Sequence, residues 1–313
     1  MLSYIGRRLL ATVPVMAVVA VFVFLLLRLT AGDPAAIIAG DNASSQQIAE
    51  IRTRLGLDRP LVEQFVIWIG RIVGGDFGES FFFKKPVAEL IVERLEPTVA
   101  LSIATLVIAV LAAVPLGVLA AWKRGTWIDR LVMGLSVLGF SLPAFVIGYA
   151  LMYLFAIELA WLPVQGYQRL RDGVGGFLLR LVLPSCTLAI IYVALIARIT
   201  RASVLEILNA DHVRTARAKG LAEVPVLLRH VLRNAAVPIV TVIGLGVALL
   251  IGGVVVTESV YSIPGLGRLT VDAVLARDYP TVQAVVLLFS FVYVLINLVV
   301  DLTYTVLDPR IRY

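Results

Sequence analysis

Six stretches of the chain contain no charged residue: 9–27, 98–122, 131–157, 181–197, 234–257 and 279–300. They run 19, 25, 27, 17, 24 and 22 residues, and about 20 residues of helix cross a bilayer. Backbone polar groups inside lipid must find partners within their own segment, so each run is predicted to be a helix. The pattern predicts an all-α integral membrane protein with six transmembrane helices, of which only the fourth is short. The first run follows Arg7 and Arg8, as the core of a signal sequence would. At 19 residues it exceeds a usual signal core and no convincing A-x-A site follows, so it is read as a retained span. Cleavage would leave an odd number of spans and put the chain ends on opposite sides.

The polar segment 31–97 is too long and too patterned for a plain linker. Ser44 and Ser45 can cap a helix whose apolar positions Ile48, Ile51 and Leu55 recur three and four apart before Gly56. Pro60 can open a second helix carrying Leu61, Phe65, Trp68, Ile69 and Ile72, stopped at Gly74-Gly75. A third is predicted from Pro86 through Val87, Leu90, Ile91 and Leu95. All three are too short and too charged to span. They are predicted to lie at the outer interface or to cap the bundle, with Trp68 near the headgroups. Either a structural lid or a contact surface for an external protein would suit them. Among the shorter loops, 123–130 is a basic turn, and 158–180 is rich in glycine with Trp161 and Pro163. The stretch 258–280 carries turn signals at Pro264-Gly265-Leu266-Gly267 and Arg277-Asp278-Tyr279-Pro280.

Composition agrees with a membrane class: 60% of the 313 residues are hydrophobic and 15% charged, against about 25% charged in soluble domains. Orientation follows from Lys and Arg. With the N-terminus inside, the inner segments 1–8, 123–130, 198–233 and 301–313 hold 14 basic and 6 acidic residues. The short outer loops hold five basics: Arg169, Arg171, Arg180, Arg268 and Arg277. Seven more lie in 31–97, where long translocated segments escape the rule. An N-in/C-in topology is therefore predicted for one transmembrane domain covering 1–313, with 31–97 extracytoplasmic and 201–233 cytoplasmic. The net charge of +6 then reflects topology rather than a nucleic-acid surface. Cys186 is the one cysteine, so 31–97 must hold its shape by packing.

Catalytic chemistry finds no foothold. His212 and His230, the two histidines, lie eighteen residues apart without a cysteine nearby, which is not the spacing of a zinc site. A surface role or a partner contact suits both better. The chain contains no G-x-S-x-G, no H-E-x-x-H and no G-x-x-x-x-G-K-[ST]. The expectation is a transport subunit with no catalytic or metal residues and no cofactor of its own. If ATP drives transport, ATP and magnesium are held by another chain.

Charges near the membrane core sit at run ends: Arg28, Glu158, Arg198, Glu258 and Asp301. Snorkelling or a helix-end role explains Arg28, Glu158 and Arg198. Asp301 is deepest, and a salt bridge to a neighbouring helix is its alternative. No acid, lysine or histidine occupies the middle of a run, which argues against a proton-coupled secondary transporter. Glycines and prolines in the runs permit close helix packing, and bends at Pro143 and Pro238 would let a central cavity open and close.

The loop 201–233 carries the strongest local signal. A helix is predicted from Val204 to Ala218, with Gly220 as a left-handed stop and Lys219 at the carbonyl end of the dipole. Thr215, Ala216 and Ala218 are small, so one side of the last turn can approach another surface closely. Asp211, Arg214, Arg217 and Lys219 surround that seat, and the cations offer charge-assisted contacts. The plainer reading of the same composition is an ordinary positive-inside anchor loop.

Arg214-Thr215-Ala216-Arg217-Ala218-Lys219-Gly220 resembles the cytoplasmic loop of ABC-importer permeases, specifically the dipeptide/oligopeptide/glutathione/nickel class. In the wider family that loop reads E-A-A, three residues, G, nine residues, then I-x-L-P. Here the alanines fall at Thr215 and Ala216, and the glycine is Gly220. Arg214 takes the glutamate position, as is usual in the peptide/nickel class, and I-x-L-P falls on His230-Val231-Leu232-Arg233. Other pieces resemble that class in order along the chain: Arg7-Arg8, Gly32-Asp33-Pro34, Leu55-Gly56-Leu57-Asp58-Arg59-Pro60 and Gly75-Asp76-Phe77-Gly78. Pro264-Gly265-Leu266-Gly267-Arg268 and Asp308-Pro309-Arg310-Ile311-Arg312 complete the set.

The resemblance implies the first permease of a pair, in a bacterial or archaeal cytoplasmic membrane. It implies a second homologous permease, two ABC ATPase subunits and an extracytoplasmic substrate-binding protein as partners. Asp211, Arg214, Thr215, Ala216, Arg217, Ala218, Lys219 and Gly220 would then dock in an ATPase cleft. A nickel path would favour soft or imidazole ligands, whereas the spans offer only Met16, Met133 and Met152. Peptide-like solutes are the expected cargo. Nickel or another small solute, or a stand-alone secondary transporter, are the alternatives.

Overall fold

The computed structural model of the chain describes residues 2–29, 35–36, 44–54 and 56–307. Among them the architecture is all-α, with one isolated bridge between Glu79 and Pro86. Two compact units are distinguished. The first comprises Met1–Leu95 with Leu269–Val294, the second Glu96–Arg268 with Leu295–Tyr313.

In the first unit, α1 (Leu2–Leu29) is a continuous 28-residue helix that runs through Pro14. α2 (Ser45–Arg54) opens on a capping box: Gln47 N donates to Ser44 Oγ, and Ser44 N donates to Gln47 Oε1. It closes at Gly56, whose φ of +65° suits glycine. α3 (Leu61–Val73) starts after Pro60 as expected. Its inner face packs on α1, with the Trp68 ring 5.6 Å from Phe24 and the Phe65 ring 5.2 Å from Phe24. Trp68 is thus part of a small core with Ala20, Val23 and Leu287.

The third short helix expected from Pro86 is not separate. It is the start of α4 (Val87–Trp122), 36 residues long, because Pro97 and Pro115 are absorbed inside the helix instead of ending it. Just before it, the turn around Ser80 is pinned by buried Asp278. That carboxylate accepts from Ser80 Oγ, from Phe81 N at 3.0 Å and from Thr281 Oγ1 at 2.7 Å.

In the second unit, the run 131–157 does not form one straight span. α5 (Trp127–Ser141) and the helix Ala144–Glu158 meet at 107°. Pro143 explains the break: it disfavours helical geometry at Leu142, which is extended at ψ 133°. The Pro143 carbonyl then accepts from Val146 N and Ile147 N to start α6 (Ala144–Leu151), whose continuation Met152–Glu158 winds as a π-helix. α7 (Val174–Leu208) extends the short fourth run to 35 residues by enclosing Arg180, Arg198 and Arg201. Before it, Glu96 accepts from Tyr167 Oη at 3.2 Å and from Leu170 N at 2.9 Å. Burial, reinforced by the Glu96 charge, pushes the Tyr167 hydroxyl well above its ordinary range.

After α7 come α8 (Asp211–Ala218), the single turn α9 (Glu223–Pro225) and α10 (Ala236–Val260). The core of this unit is built from Leu101 and Ala109 of α4, Leu188 and Ile196 of α7, and Leu250 and Val254 of α10. Beyond it, the stretch expected only to turn at Pro264-Gly265-Leu266-Gly267 also starts a helix, α11 (Leu266–Leu275). Its first turn is seated on Glu258, as described below. α12 (Tyr279–Leu307) is the last element.

By length and composition, four helices among the described residues can cross a membrane: Val87–Trp122, Val174–Leu208, Ala236–Val260 and Tyr279–Thr303. The bent pair makes a fifth if it is one span, and α1 contains the shorter apolar stretch Leu10–Leu26.

Candidate functional site

The helix expected from Val204 to Ala218 is two helices. Asn209 interrupts it: its Nδ2 donates back to the Leu205 carbonyl at 3.1 Å. A side chain that bonds nearby backbone competes with the helical ladder. Ala210 is then extended at ψ 147°, and α8 starts on a new axis with Asp211 in its first turn. An acid there complements the helix dipole.

The predicted stop at Gly220 is present and complete. Gly220 has φ +80°. Leu221 N reaches the Ala216 carbonyl at 3.4 Å, and Gly220 N reaches that of Arg217 at 2.9 Å. These are the two crossed bonds of a Schellman ending.

α8 has two distinct faces. Val213 is wholly buried and Ala216 is 5% exposed. They share a core with Ala121 of α4, Val204 of α7, Ala235, and Ile239 of α10. Ala216 therefore supports the helix from beneath rather than lining the outer seat. Asp211, Arg214, Thr215, Arg217, Ala218, Lys219 and Gly220 are all exposed. The second half of the cradle is the π-helical turn Val226–Leu232, which supplies buried Val226 and Val231. A wider turn brings residues five apart into line, so both reach the core under α8.

Local charge is arranged unevenly. Arg217 grips Glu223 with two bonds, Nε at 2.8 Å and Nη2 at 3.1 Å. That pair ties the end of α8 to the start of α9. Arg214 approaches Asp211 only to 3.7 Å with both side chains largely in solvent, a geometry that holds little. The outward face thus presents Arg214 and Lys219 beside the small residues Thr215 and Ala218. His212 sits at its edge, 3.4 Å from Asn234 Nδ2.

Two constellations escaped the sequence reading. Asp129, the one acid in the basic turn 123–130, accepts Arg201 Nε at 2.6 Å and Nη2 at 2.8 Å. Its isolation among basics was the available signal. Glu258, expected only as a charge at a run end, is completely buried. It accepts from Thr98 Oγ1 at 2.6 Å and from Arg268 N at 2.9 Å. The Thr98 contact spans 160 residues, a separation that periodicity does not register.

Gly32-Asp33-Pro34 and Asp308-Pro309-Arg310-Ile311-Arg312 lie outside the described residues, as do Leu55 and the side chains of Arg7, Arg8, Arg28 and Ile51.

Residues 113–313 match the family described as binding-protein-dependent transport system inner membrane component. Residues 1–102 match the N-terminal region of the same systems' membrane components. The chain belongs to this family. It is a permease subunit of an ABC importer, a transport component of a bacterial inner membrane.

Similar curated proteins cover the whole length. A probable peptide ABC transporter permease from Sinorhizobium fredii is 54% identical over 310 residues, 99% of each chain. Glutathione transport system permeases are 47% identical in Salmonella paratyphi A and 46% in Escherichia coli K12, over all of both chains. Among solved structures, an inward-facing methionine ABC transporter chain superposes with a TM-score of 0.58 at 18% identity. It covers 70% of this permease and 96% of that chain. That likeness is one of fold.

Proposed function

We propose that this permease forms half of the translocation path for peptide-like solutes and is driven by ATPases docked on α8. Substrate class is supported by the named cargoes of the full-length relatives, peptides and glutathione. In this reading the importer contains a second homologous permease, two ABC ATPase subunits and an extracytoplasmic binding protein that supplies the cargo. ATP and magnesium belong to the ATPase subunits.

The topology that suits this role is six spans, N-in and C-in. α1, α4, the bent pair α5–α6, α7, α10 and α12 supply them, and α8 then lies on the cytoplasmic side.

One observation carries the docking role: α8 is closed at its C-terminal end by Gly220, buried on one face, and studded with small and cationic residues on the other. Its buried face shares a core with α4, α7 and α10. A displacement of α8 therefore cannot be absorbed locally and must reorient the spans, which is how a partner's conformational preference becomes alternating access.

The test is Ala218→Trp. Ala218 is exposed, so a bulky ring there leaves the fold intact while obstructing a close-fitting cleft. The solubilised complex should lose its copurifying ATPase subunits, with membrane insertion unchanged. Full retention of the ATPases in this variant would overturn the docking role. Ala216→Trp is the contrasting variant, since it invades the permease's own core.

A further inference from the structure

We infer that the Asp129–Arg201 pair is the joint that carries motion of the docking segment into the bent span, with Leu142–Pro143 as the hinge it works against. This rests on the docking role of α8 and adds two positioning residues to it.

The pair is built for rigidity. Asp129 is 8% exposed and Arg201 24%. The guanidinium meets the carboxylate with two parallel bonds, which fixes angle as well as distance. Solvent-exposed pairs slip easily, whereas losing one partner of a largely buried pair strands a charge. A third donor completes the site: Gly125 N reaches Asp129 Oδ2 at 2.9 Å from a turn in which Gly125 has φ +79°. One carboxylate therefore binds the α4–α5 turn, the first turn of α5 and the last two turns of α7.

Nearby packing makes those elements a block. A side chain at Gly117 of α4 would stand 2.7 Å from the Ala197 carbonyl and 2.6 Å from Thr200 Cβ, so α4 and α7 touch there almost backbone to backbone. α5 runs back along α7, and at its far end Gly139 abuts Ile190, 3.2 Å from where a Cβ would lie. α5 is thus fastened to α7 at both ends, and α7 leads through Asn209–Ala210 directly into α8.

Beyond the break, the fastening changes. α6 is held to both α10 and α7: Tyr261 Oη bonds the Gly148 carbonyl at 3.2 Å and Thr187 Oγ1 of α7 at 2.8 Å, and a Cβ at Gly148 would lie 3.3 Å from Val260 and 3.5 Å from Thr187. The 107° corner therefore separates a half-span clamped to α7 by an ion pair from a half-span packed between α7 and the end of α10. Residues at such a corner can absorb the change in dihedral angles while packed helices move as bodies.

Spin-label distances in the assembled importer test this, with Cys186→Ser as background and labels on exposed positions. One pair, Trp127 and Glu206, reports the joint; the other, Trp127 and Tyr153, reports the corner. Between the nucleotide-free state and ATP plus vanadate, the first distance should stay constant. The second should shift by about 2 Å or more, the scale of helix shifts at switching interfaces. In Asp129→Asn the first distance should broaden or shift and the second should stop responding. The charge swap Asp129→Arg with Arg201→Asp should restore the wild-type behaviour of both.

A wild-type Trp127–Glu206 distance that changes with nucleotide would overturn the joint without any variant having to fold. So would an Asp129→Asn protein that behaves as wild type, or a corner distance that never moves in a complex that retains its ATPases. Loss of all nucleotide response together with absence of bound ATPases would instead defeat the docking role, and this inference with it.

Discussion

Thr98 Oγ1 of α4 lies 2.6 Å from Glu258 Oε1 of α10, and the same oxygen accepts Leu266 N at 2.7 Å. One hydroxyl joins three helices at a buried carboxylate, and α11 starts where it does because Thr98 and Glu258 receive its first N–H groups. Removing a partner from a buried polar group costs about 1–3 kcal/mol, more for a charged one. Thr98→Val should therefore lower the thermal unfolding midpoint of the detergent-solubilised permease clearly, and Thr98→Ser should not. Equal midpoints for the two variants would show that the hydroxyl is dispensable.

The first turn of α11 is also sterically exact. A Cβ at Gly267 would stand 2.6 Å from Val255 Cα, and one at Gly265 would collide with the Glu258 carboxylate. Overpacking costs about 1–3 kcal/mol, so Gly267→Ala should reduce folded yield and melting temperature. Gly252→Ala, where nothing lies within 4 Å, should be neutral or slightly stabilising, as expected for removing a helix glycine. Reversal of that order in a melting series would refute the packing described here.

Gly220 closes α8 with φ +80°, a geometry costing other residues about 1–2 kcal/mol. Gly220→Val should fray the last turn of α8 and reduce ATPase retention, while Gly220→Asn should retain most of it. Hydrogen exchange at Lys219 to Leu221, compared with Val213, would locate the fraying. Equal exchange in all variants would remove the cap from the account.

Topology is open to a direct check. With Cys186→Ser as background, Lys219→Cys should react with a membrane-impermeant maleimide only from the cytoplasmic side. Arg171→Cys, on a side chain 73% exposed between α6 and α7, should react only from the outside. Same-side labelling of both would contradict the N-in/C-in assignment.

Much of the fold could be read from the chain because lipid imposes a strong local rule: an uncharged run must be a helix. Each such run is mostly helical here, with a break at Leu142–Pro143. Caps were legible for the same reason of locality. Ser44 bonds Gln47 three residues away, and Gly220 supplies a positive φ that most residues avoid. Helix ends were less legible. Pro97 was absorbed into α4, whereas Pro143 broke the third run, and the two prolines look alike without their neighbours. Asn209 could have been read as a break, because its side chain acts on backbone only four residues back.

The sequence by itself determined the class of molecule, the helical runs, the absence of a nucleotide-binding loop and the family resemblance of the segment around α8. Each of these depends on spacing within about twenty residues. Tertiary structure alone decided which face of α8 is outward, that Ala216 lies beneath the helix, and that Asp129 meets Arg201 and Thr98 meets Glu258. Those pairings are separated by 72 and 160 residues. A buried charge is stable only where its partner arrives from another helix, and helix packing, not local pattern, sets where that partner arrives.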